Sequence, residues 1–152
     1  MNISFNIIGK GEPIIFIHGI GSRKISWNGI IKELKAEYQC ISYDLRGHGE
    51  SKVVHNTFYL NDLVEDLEKL RSYLKIQKVH LVGHSLGGMI APSYAIKYPE
   101  KVVSITLLST AAYRQNEDKQ KIIDIIQSIK DQGIYMVLPK LINRWFTDDF
   151  IS

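Results

Sequence analysis

The sequence has a single cysteine, Cys40, among its 152 residues, so it can form no internal disulfide. Cys40 lies in an apolar run, which indicates a buried thiol in a reducing compartment. The N-terminal segment lacks a basic region, and its apolar stretch is too short for a signal peptide. No run approaches the roughly 18 apolar residues of a membrane span. These absences predict a soluble cytoplasmic protein without a membrane partner.

A strong charge of either sign is also missing. The 19 Lys and Arg residues exceed the 16 Asp and Glu residues by three. They are spread along the chain and do not form the stripe that a phosphate-binding surface requires, so nucleic acid is not an expected partner. With 45% hydrophobic and 23% charged residues, the composition is that of an ordinary globular protein. The length suffices for one domain that buries about two-thirds of its unfolded surface.

Two hydrophobic periodicities alternate along the first three-quarters of the chain. Predicted strands cover Ile3–Ile8, Ile14–His18, Cys40–Tyr43, Val79–Val82 and Val102–Leu108. Helical spacing covers Trp27–Tyr38 with Ser26 as N-cap, Leu60–Leu74 and Ser85–Tyr98. This order predicts an α/β fold, a mostly parallel sheet with flanking helices and right-handed crossovers. The first two strands are expected to form a hairpin, and the last strand to be covered on both faces.

The strand–helix alternation stops in the last quarter of the chain. Charged and amide residues alternate with isoleucines over Arg114–Asp131, and a second helix, interrupted by Pro139, is predicted over Ile134–Phe146. Residues 1–110 are therefore interpreted as the N-terminal part of an α/β core, and residues 111–152 as the beginning of a helical cap. A surface helix that closes the domain is the alternative.

The segment VGHSLGGM, Val82–Met89, predicts a nucleophilic serine. Ser85 falls at a strand-to-helix turn, at the sheet edge where open α/β folds bind ligands. A GxSxG sequence at such a turn holds the serine in a strained conformation that exposes its hydroxyl. Gly83 and Gly87 lack side chains where the strand and the helix crowd together. The motif alone is weak, but its context and Gly88 strengthen it, so Ser85 is the candidate catalytic residue.

Attack on a carbonyl also requires hydrogen-bond donors for the oxyanion that forms. The backbone N–H of Leu86, at the start of the predicted helix, can supply one donor with help from the helix dipole. The segment HGIG, His18–Gly21, follows the second predicted strand. Its glycines let the backbone curl so that the N–H of Ile20 supplies the other donor. An ordinary glycine-rich turn is the alternative for this segment.

Three segments together resemble the α/β-hydrolase fold family in order and spacing: HGIGSRKISW (18–27), DLRGHGES (44–51) and GHSLGG (83–88). Two further segments, LLSTAAYR (107–114) and NRWFTDDF (143–150), resemble the start of the cap in 3-oxoadipate enol-lactonases, a branch of carboxylic ester hydrolases. The resemblance implies a hydrolase that acts on a small ester or lactone and needs no metal or organic cofactor.

The resemblance also implies a triad in the chain order serine, acid, histidine. All five histidines precede Ser85, however: His18, His48, His55, His80 and His84. Each is predicted to be structural or solvated, with His55, in a loop, the first alternative base. Asp44 is interpreted as a turn cap and the pair Asp148–Asp149 as surface residues, so none is the expected triad acid. We therefore expect a longer hydrolase whose acid and histidine follow Ser152; a complete, non-catalytic ligand-binding protein is the alternative.

Arg144 and Trp145 are the predicted substrate-binding residues. A carboxylate-bearing lactone would gain from a guanidinium fork and an apolar wall. The alternative is that Trp145 packs in the cap core and Arg144 is solvated. Haloalkane dehalogenases and epoxide hydrolases share the architecture but carry aspartate where Ser85 stands. Carbon–carbon bond hydrolases and cofactor-free perhydrolases use serine and remain alternatives. The expected partner is a small molecule, and the sequence predicts no oligomeric state.

Overall fold

The computed structural model describes residues 3–53, 56–111 and 115–151. The chain divides into two compact units, Met1–Ala112 and Tyr113–Ser152. The strands of the first unit are β1 (Phe5–Ile8), β2 (Glu12–Ile17), β3 (Tyr38–Tyr43), β4 (Val79–His84) and β5 (Val102–Leu108). Its helices are α1 (Asn28–Leu34), α2 (Leu60–Tyr73) and α3 (Leu86–Lys97), with 3-10 turns at Lys24–Trp27 and Pro99–Lys101. Ser26 lies within the first of these turns and does not cap α1.

The five strands form one sheet in the order β1-β3-β2-β4-β5. β1 runs antiparallel to β3, and all other pairs are parallel, so the predicted α/β fold with a mostly parallel sheet is confirmed. The predicted hairpin is wrong, because β1 and β2 lie on opposite sides of β3. The link between them crosses the backbone just before and at the start of β3, and side chains at Gly9 and Gly11 would overlap the carbonyl oxygens of Tyr38 and Glu37.

The central strand β2 is buried on both faces, as its continuous apolar run indicates. Ile15 and Ile17 pack in a core cluster with α2 and α3, whereas Ile14 and Phe16 pack in a second cluster with α1. The buried α2 side chains in the first cluster recur at helical spacing: Leu63, Val64, Leu67 and Leu70. Each buried leucine stabilises the fold by about 2 kcal/mol. Cys40 is buried as predicted, and burial raises the pKa of its thiol.

Strand β5 has the predicted bounds but not the predicted burial. Val103 and Leu107 are about half exposed, so the expectation of a strand covered on both faces is wrong for the described part of the chain. β5 pairs with β4 at the edge of the sheet, and edge strands present one unpaired side.

The second unit consists of α4 (Asn116–Gln132), α5 (Ile134–Trp145) and the short α6 (Asp148–Ile151). The predicted start of the first helix, Arg114, lies outside the described residues. Pro139 lies inside α5, so the predicted interruption is wrong. A proline removes one intrahelical hydrogen bond, and here that loss does not end the helix. Over residues 3–53, 56–111 and 115–151, no helix combines the length and apolarity that crossing a membrane requires.

Candidate active site

Ser85 occupies the turn between β4 and α3 in a strained backbone conformation. Its φ is +52° and its ψ is −109°, a left-handed region that costs a non-glycine residue about 1–3 kcal/mol. The last residue of β5 and the loop after it hold Ser85 through its own N–H and carbonyl groups. The N–H of Ser85 donates to the carbonyl oxygen of Leu108 (3.0 Å), and the Ser85 carbonyl accepts from Thr110 Oγ1 (2.9 Å). These bonds keep Ser85 in a conformation that it would otherwise leave.

Three glycines around Ser85 allow the backbones of α3, β4 and β2 to touch. A side chain at Gly83 would overlap the Gly87 carbonyl, and one at Gly87 would overlap the carbonyl of Ile17 at the end of β2. A side chain at Gly88 would overlap Thr110. The crowding that the sequence predicts at Gly83 and Gly87 is therefore present, and it explains why the motif needs residues without side chains.

The HGIG loop lies directly beside Ser85. A side-chain carbon on Gly19 would fall 3.1 Å from Ser85 Cβ and 2.9 Å from His84 Nδ1. In the described part of the chain, the N–H of Ile20 donates to no protein group. Leu86 is the first residue of α3, and an N–H at that position has no partner inside its helix. The loop and the helix N-terminus thus lie at the same edge of the sheet. The N–H of Ile20 has no acceptor within the loop, and the N–H of Leu86 has none within the helix.

Two of the five histidines are held by backbone groups of neighbouring loops. His18 is buried, its Nδ1 donates to the Gly19 carbonyl (2.7 Å), and its Nε2 accepts from the N–H of Leu45 (3.0 Å). Burial is the largest influence on the pKa of His18 and lowers it. His48 Nε2 accepts from the N–H of Gly21 (3.2 Å). These contacts agree with the structural roles predicted for both residues.

The other histidines give Ser85 no base in the described structure. His80 Nδ1 lies 2.8 Å from Ser104 Oγ, and its Nε2 lies 3.2 Å from Glu12 Oε2. That contact lies in the amino-terminal half of the strands, away from Ser85. His84 is exposed and packs against Gly19, and His55 lies outside the described residues. Among the residues that the structure describes, none hydrogen-bonds to Ser85 Oγ.

Sequence reasoning missed a buried ion pair beneath the HGIG loop. Lys24 is only 6% exposed, and its Nζ donates to Asp44 Oδ2 (2.9 Å), Glu50 Oε2 (2.6 Å) and Ser4 Oγ (2.8 Å). Each of its three protons therefore has an acceptor. Nothing in the local sequence pattern distinguishes Lys24 from a solvated lysine, because its partners come from distant segments.

Asp44 is the turn cap that its position suggests, and it is charged. Its carboxylate accepts from the N–H of Lys24 (2.6 Å), the N–H of Glu50 (3.0 Å) and Lys24 Nζ. Burial opposes the charge of Asp44, but these hydrogen bonds outweigh burial and hold the pKa of its carboxyl below its usual range. Burial likewise opposes the charge of Lys24, and its bonds to Glu50 and Asp44 raise its pKa.

The two predicted substrate-binding residues belong to the second unit. Arg144 lines a cavity of about 300 Å³ between α4 and α5, together with Lys121 and Lys140. Trp145 is 53% exposed, so it does not form the core of this unit. Asp148 and Asp149 lie in the first turn of α6. Within the described ranges, no group of three or more His, Cys, Asp or Glu residues could hold a metal ion.

Comparisons with known proteins show what this chain is similar to. Residues 12–130 match the model of the alpha/beta hydrolase fold. The 3-oxoadipate enol-lactonase 1 of Acinetobacter baylyi is 30% identical over 150 residues, which are 99% of this chain and 55% of the lactonase. A thermophilic esterase from Thermogutta terrifontis with malate bound has a TM-score of 0.85 and 28% identity over 93% of this chain and 53% of its own.

A likeness in fold alone comes from the enol-lactonase of Burkholderia xenovorans LB400. Its structure has a TM-score of 0.91 at 22% identity, over 98% of this chain and 58% of that chain. The match spans 55% of the length of the Acinetobacter lactonase and 31% of a curated relative from Mycobacterium bovis.

Proposed function

Since the chain belongs to the α/β-hydrolase fold family, we propose that it carries the nucleophile and the oxyanion donors of a serine hydrolase. The observation that supports this proposal most directly is the strained backbone of Ser85 with the Gly19 backbone against its side chain. The substrate is a small carboxylic ester or lactone, the class named in the esterase and enol-lactonase relatives. In this proposal residues 1–110 form the N-terminal part of the core and residues 111–152 the beginning of a cap.

The reaction is acyl transfer through a covalent intermediate. Ser85 Oγ attacks the carbonyl carbon and passes its proton to a base, and the backbone N–H groups of Ile20 and Leu86 stabilise the oxyanion. The ester C–O bond then breaks, the alcohol oxygen takes the proton from the base, and water hydrolyses the acyl-enzyme. These steps use no metal or organic cofactor.

The base and its carboxylate partner lie outside the described residues in this proposal. His18, His48 and His80 are held by other groups, so none is positioned to take the proton of Ser85. His84 is exposed and makes no hydrogen bond to Ser85 in the described structure, so the remaining sources are His55 and residues beyond Ser152. Arg144 and Trp145 serve in substrate recognition, with the guanidinium binding a substrate carboxylate as a fork.

Ser85→Ala in the complete gene product tests the proposal. Hydrolysis of short p-nitrophenyl esters should fall by about 10⁴-fold or more, the range seen when a triad serine is removed. Ser93→Ala is the matched control, because Ser93 Oγ donates to the Met89 carbonyl within the same helix. Circular dichroism shows that both variants fold. Activity of folded Ser85→Ala within tenfold of wild type would rule out Ser85 as the nucleophile.

The chain 1–152 by itself is expected to give no turnover, because no described base contacts Ser85. A stoichiometric burst of p-nitrophenol from this chain would instead assign the base to one of the upstream histidines, with His55 the first to replace. If the complete gene product binds esters without hydrolysing them, the non-catalytic alternative is the better account.

A further inference from the structure

We propose that the segment Asp44–Ser51 is the positioning element of the HGIG loop, and that His48 is the residue through which it fixes the N–H of Ile20. The inference rests on the proposed function, since it concerns the oxyanion donor of the same site. No atom of His48 needs to touch the substrate. Its role is to hold Gly21, the residue that follows Ile20.

His48 is itself fixed by contacts from different parts of the fold. Its Nε2 accepts from the N–H of Gly21 (3.2 Å), and its Nδ1 donates to the Arg46 carbonyl (3.2 Å). The second bond places the ring proton on Nδ1, which leaves Nε2 free to accept. The ring also meets that of His18 edge to face, with centroids 5.2 Å apart. The acceptor for Gly21 thus has a set position and a set tautomer.

The same segment holds the far end of the loop. Lys24 N–H donates to Asp44 Oδ1 (2.6 Å), and Lys24 Nζ to Asp44 Oδ2. The near end is fixed by His18, whose Nδ1 donates to the Gly19 carbonyl (2.7 Å). Residues 19–24 are therefore tied at the start, at Gly21 and at the end, and the last two ties come from Asp44–Ser51.

The segment is rigid enough to serve as a support. Ser51 Oγ donates to the Asp44 carbonyl (2.6 Å), and the His48 N–H donates to the Leu45 carbonyl (2.9 Å). Arg46 Nε lies 2.6 Å from Asp66 Oδ2, which fastens the segment to α2. We call the hydrogen bond from the Gly21 N–H to His48 Nε2 the clamp. Because His48 belongs to this supported segment, the clamp fixes the loop relative to the sheet.

The clamp matters because of the glycines on either side of Ile20. Gly19 and Gly21 leave the loop backbone many conformations, and Gly21 has φ +74°. Without the bond to His48, the peptide planes around Ile20 can rotate and turn its N–H away from the oxyanion. A misplacement of about 1 Å at a reacting centre costs about 100-fold in rate.

His48→Leu and His48→Gln separate this role from a structural one. Gln retains an acceptor near the position of Nε2, whereas Leu retains only bulk. His48 is half-buried at the surface and outside both core clusters, so both variants should fold. In the complete gene product, kcat for a p-nitrophenyl ester should fall about 10- to 100-fold in His48→Leu with KM within about twofold, and recover to within about threefold of wild type in His48→Gln.

Amide hydrogen exchange of Gly21, followed by NMR, reports the clamp without catalysis. Exchange should be about tenfold or more faster in His48→Leu than in wild type, and close to wild type in His48→Gln. Unchanged exchange in His48→Leu would overturn the clamp whatever the activity. Equal kcat in the two variants, or a loss confined to KM, would overturn the positioning role. Activity in Ser85→Ala would contradict the proposed function. The exchange rate of the Gly21 amide would then still test whether His48 holds the loop.

Discussion

The two units differ in where their apolar side chains lie. Among the residues that the structure describes, all the buried hydrophobic ones except Val137 and Leu141 belong to the first unit. Helix α4 in the second unit buries no residue, and even its apolar residues Ile123 and Ile126 are about half exposed. The first unit also brings backbone against backbone at its glycines. Packing therefore determines the atomic positions around Ser85. In the second unit, helical propensity and the hydrophobic pattern determine where the helices form, but few side chains are held by packing. Substitutions in the two units should have very different costs.

Gly87→Ala should show the largest effect. The new methyl group would overlap the Ile17 carbonyl at the end of β2, which is part of the central strand and cannot move aside. We expect a loss of more than about 4 kcal/mol in the free energy of unfolding, or failure to fold, as measured by urea denaturation.

Gly29→Ala is the control for that experiment. Gly29 lies in α1, and a side chain there would meet nothing within 4 Å. Its replacement should raise the free energy of unfolding by about 0.5–1 kcal/mol, because alanine lowers the conformational entropy of the unfolded chain. A Gly87→Ala protein that unfolds within 1 kcal/mol of wild type would show that packing around Ser85 is looser than the contacts indicate.

How far the sequence predicts the molecule follows the same division between pattern and packing. Residues 79–82 and 102–108 read correctly as strands because periodicity is local. The sheet order could not be predicted in this way. The pairing of β1 with β3 depends on where the link Gly9–Gly11 crosses the chain, and the sequence of that link fits a hairpin turn equally well. The GxSxG turn was predictable, since its strain and crowding are properties of consecutive residues. Lys24 was not, because its three acceptors come from two other segments.

Lys24→Met should show the second largest effect, and one that depends on pH. The substitution leaves Asp44 buried without its counter-ion, which costs about 3 kcal/mol at pH 7. The pKa of Asp44 is lowered in the folded protein, so its stabilisation exists above the ordinary carboxyl range and is lost as pH falls through the folded pKa. The pKa of Lys24 is raised, so its contribution is lost only as pH rises through the alkaline range.

The difference between wild type and Lys24→Met should therefore be largest near neutral pH and shrink below about pH 4, where carboxyl groups take up protons. Urea denaturation at several pH values measures it. Lys32→Met, at an exposed lysine of α1, should change the free energy of unfolding by less than about 0.5 kcal/mol at every pH. An equal loss of unfolding free energy in Lys24→Met at pH 3 and pH 7 would show that the Lys24–Asp44 ion pair does not stabilise the fold.

Arg144→Ala should show the smallest effect on stability and a selective effect on recognition. The side chain is exposed and makes no hydrogen bond among residues 115–151, so the free energy of unfolding should change by less than about 0.5 kcal/mol. It shares a cavity with Lys121 and Lys140, which gives that part of the second unit an excess of positive charge over the single carboxylate of Asp124.

In the complete gene product, kcat/KM for an ester with a free carboxylate should fall about tenfold or more in Arg144→Ala, the value of a charged hydrogen bond, whereas the neutral methyl ester should lose less than about twofold. Lys130→Ala, an exposed cation of α4 away from the cavity, should leave both values unchanged. Equal losses on the two esters would mean that Arg144 acts through the fold of the second unit. Arg144 would then matter through packing, as residues of the first unit do, and the difference drawn between the two units would not hold for it.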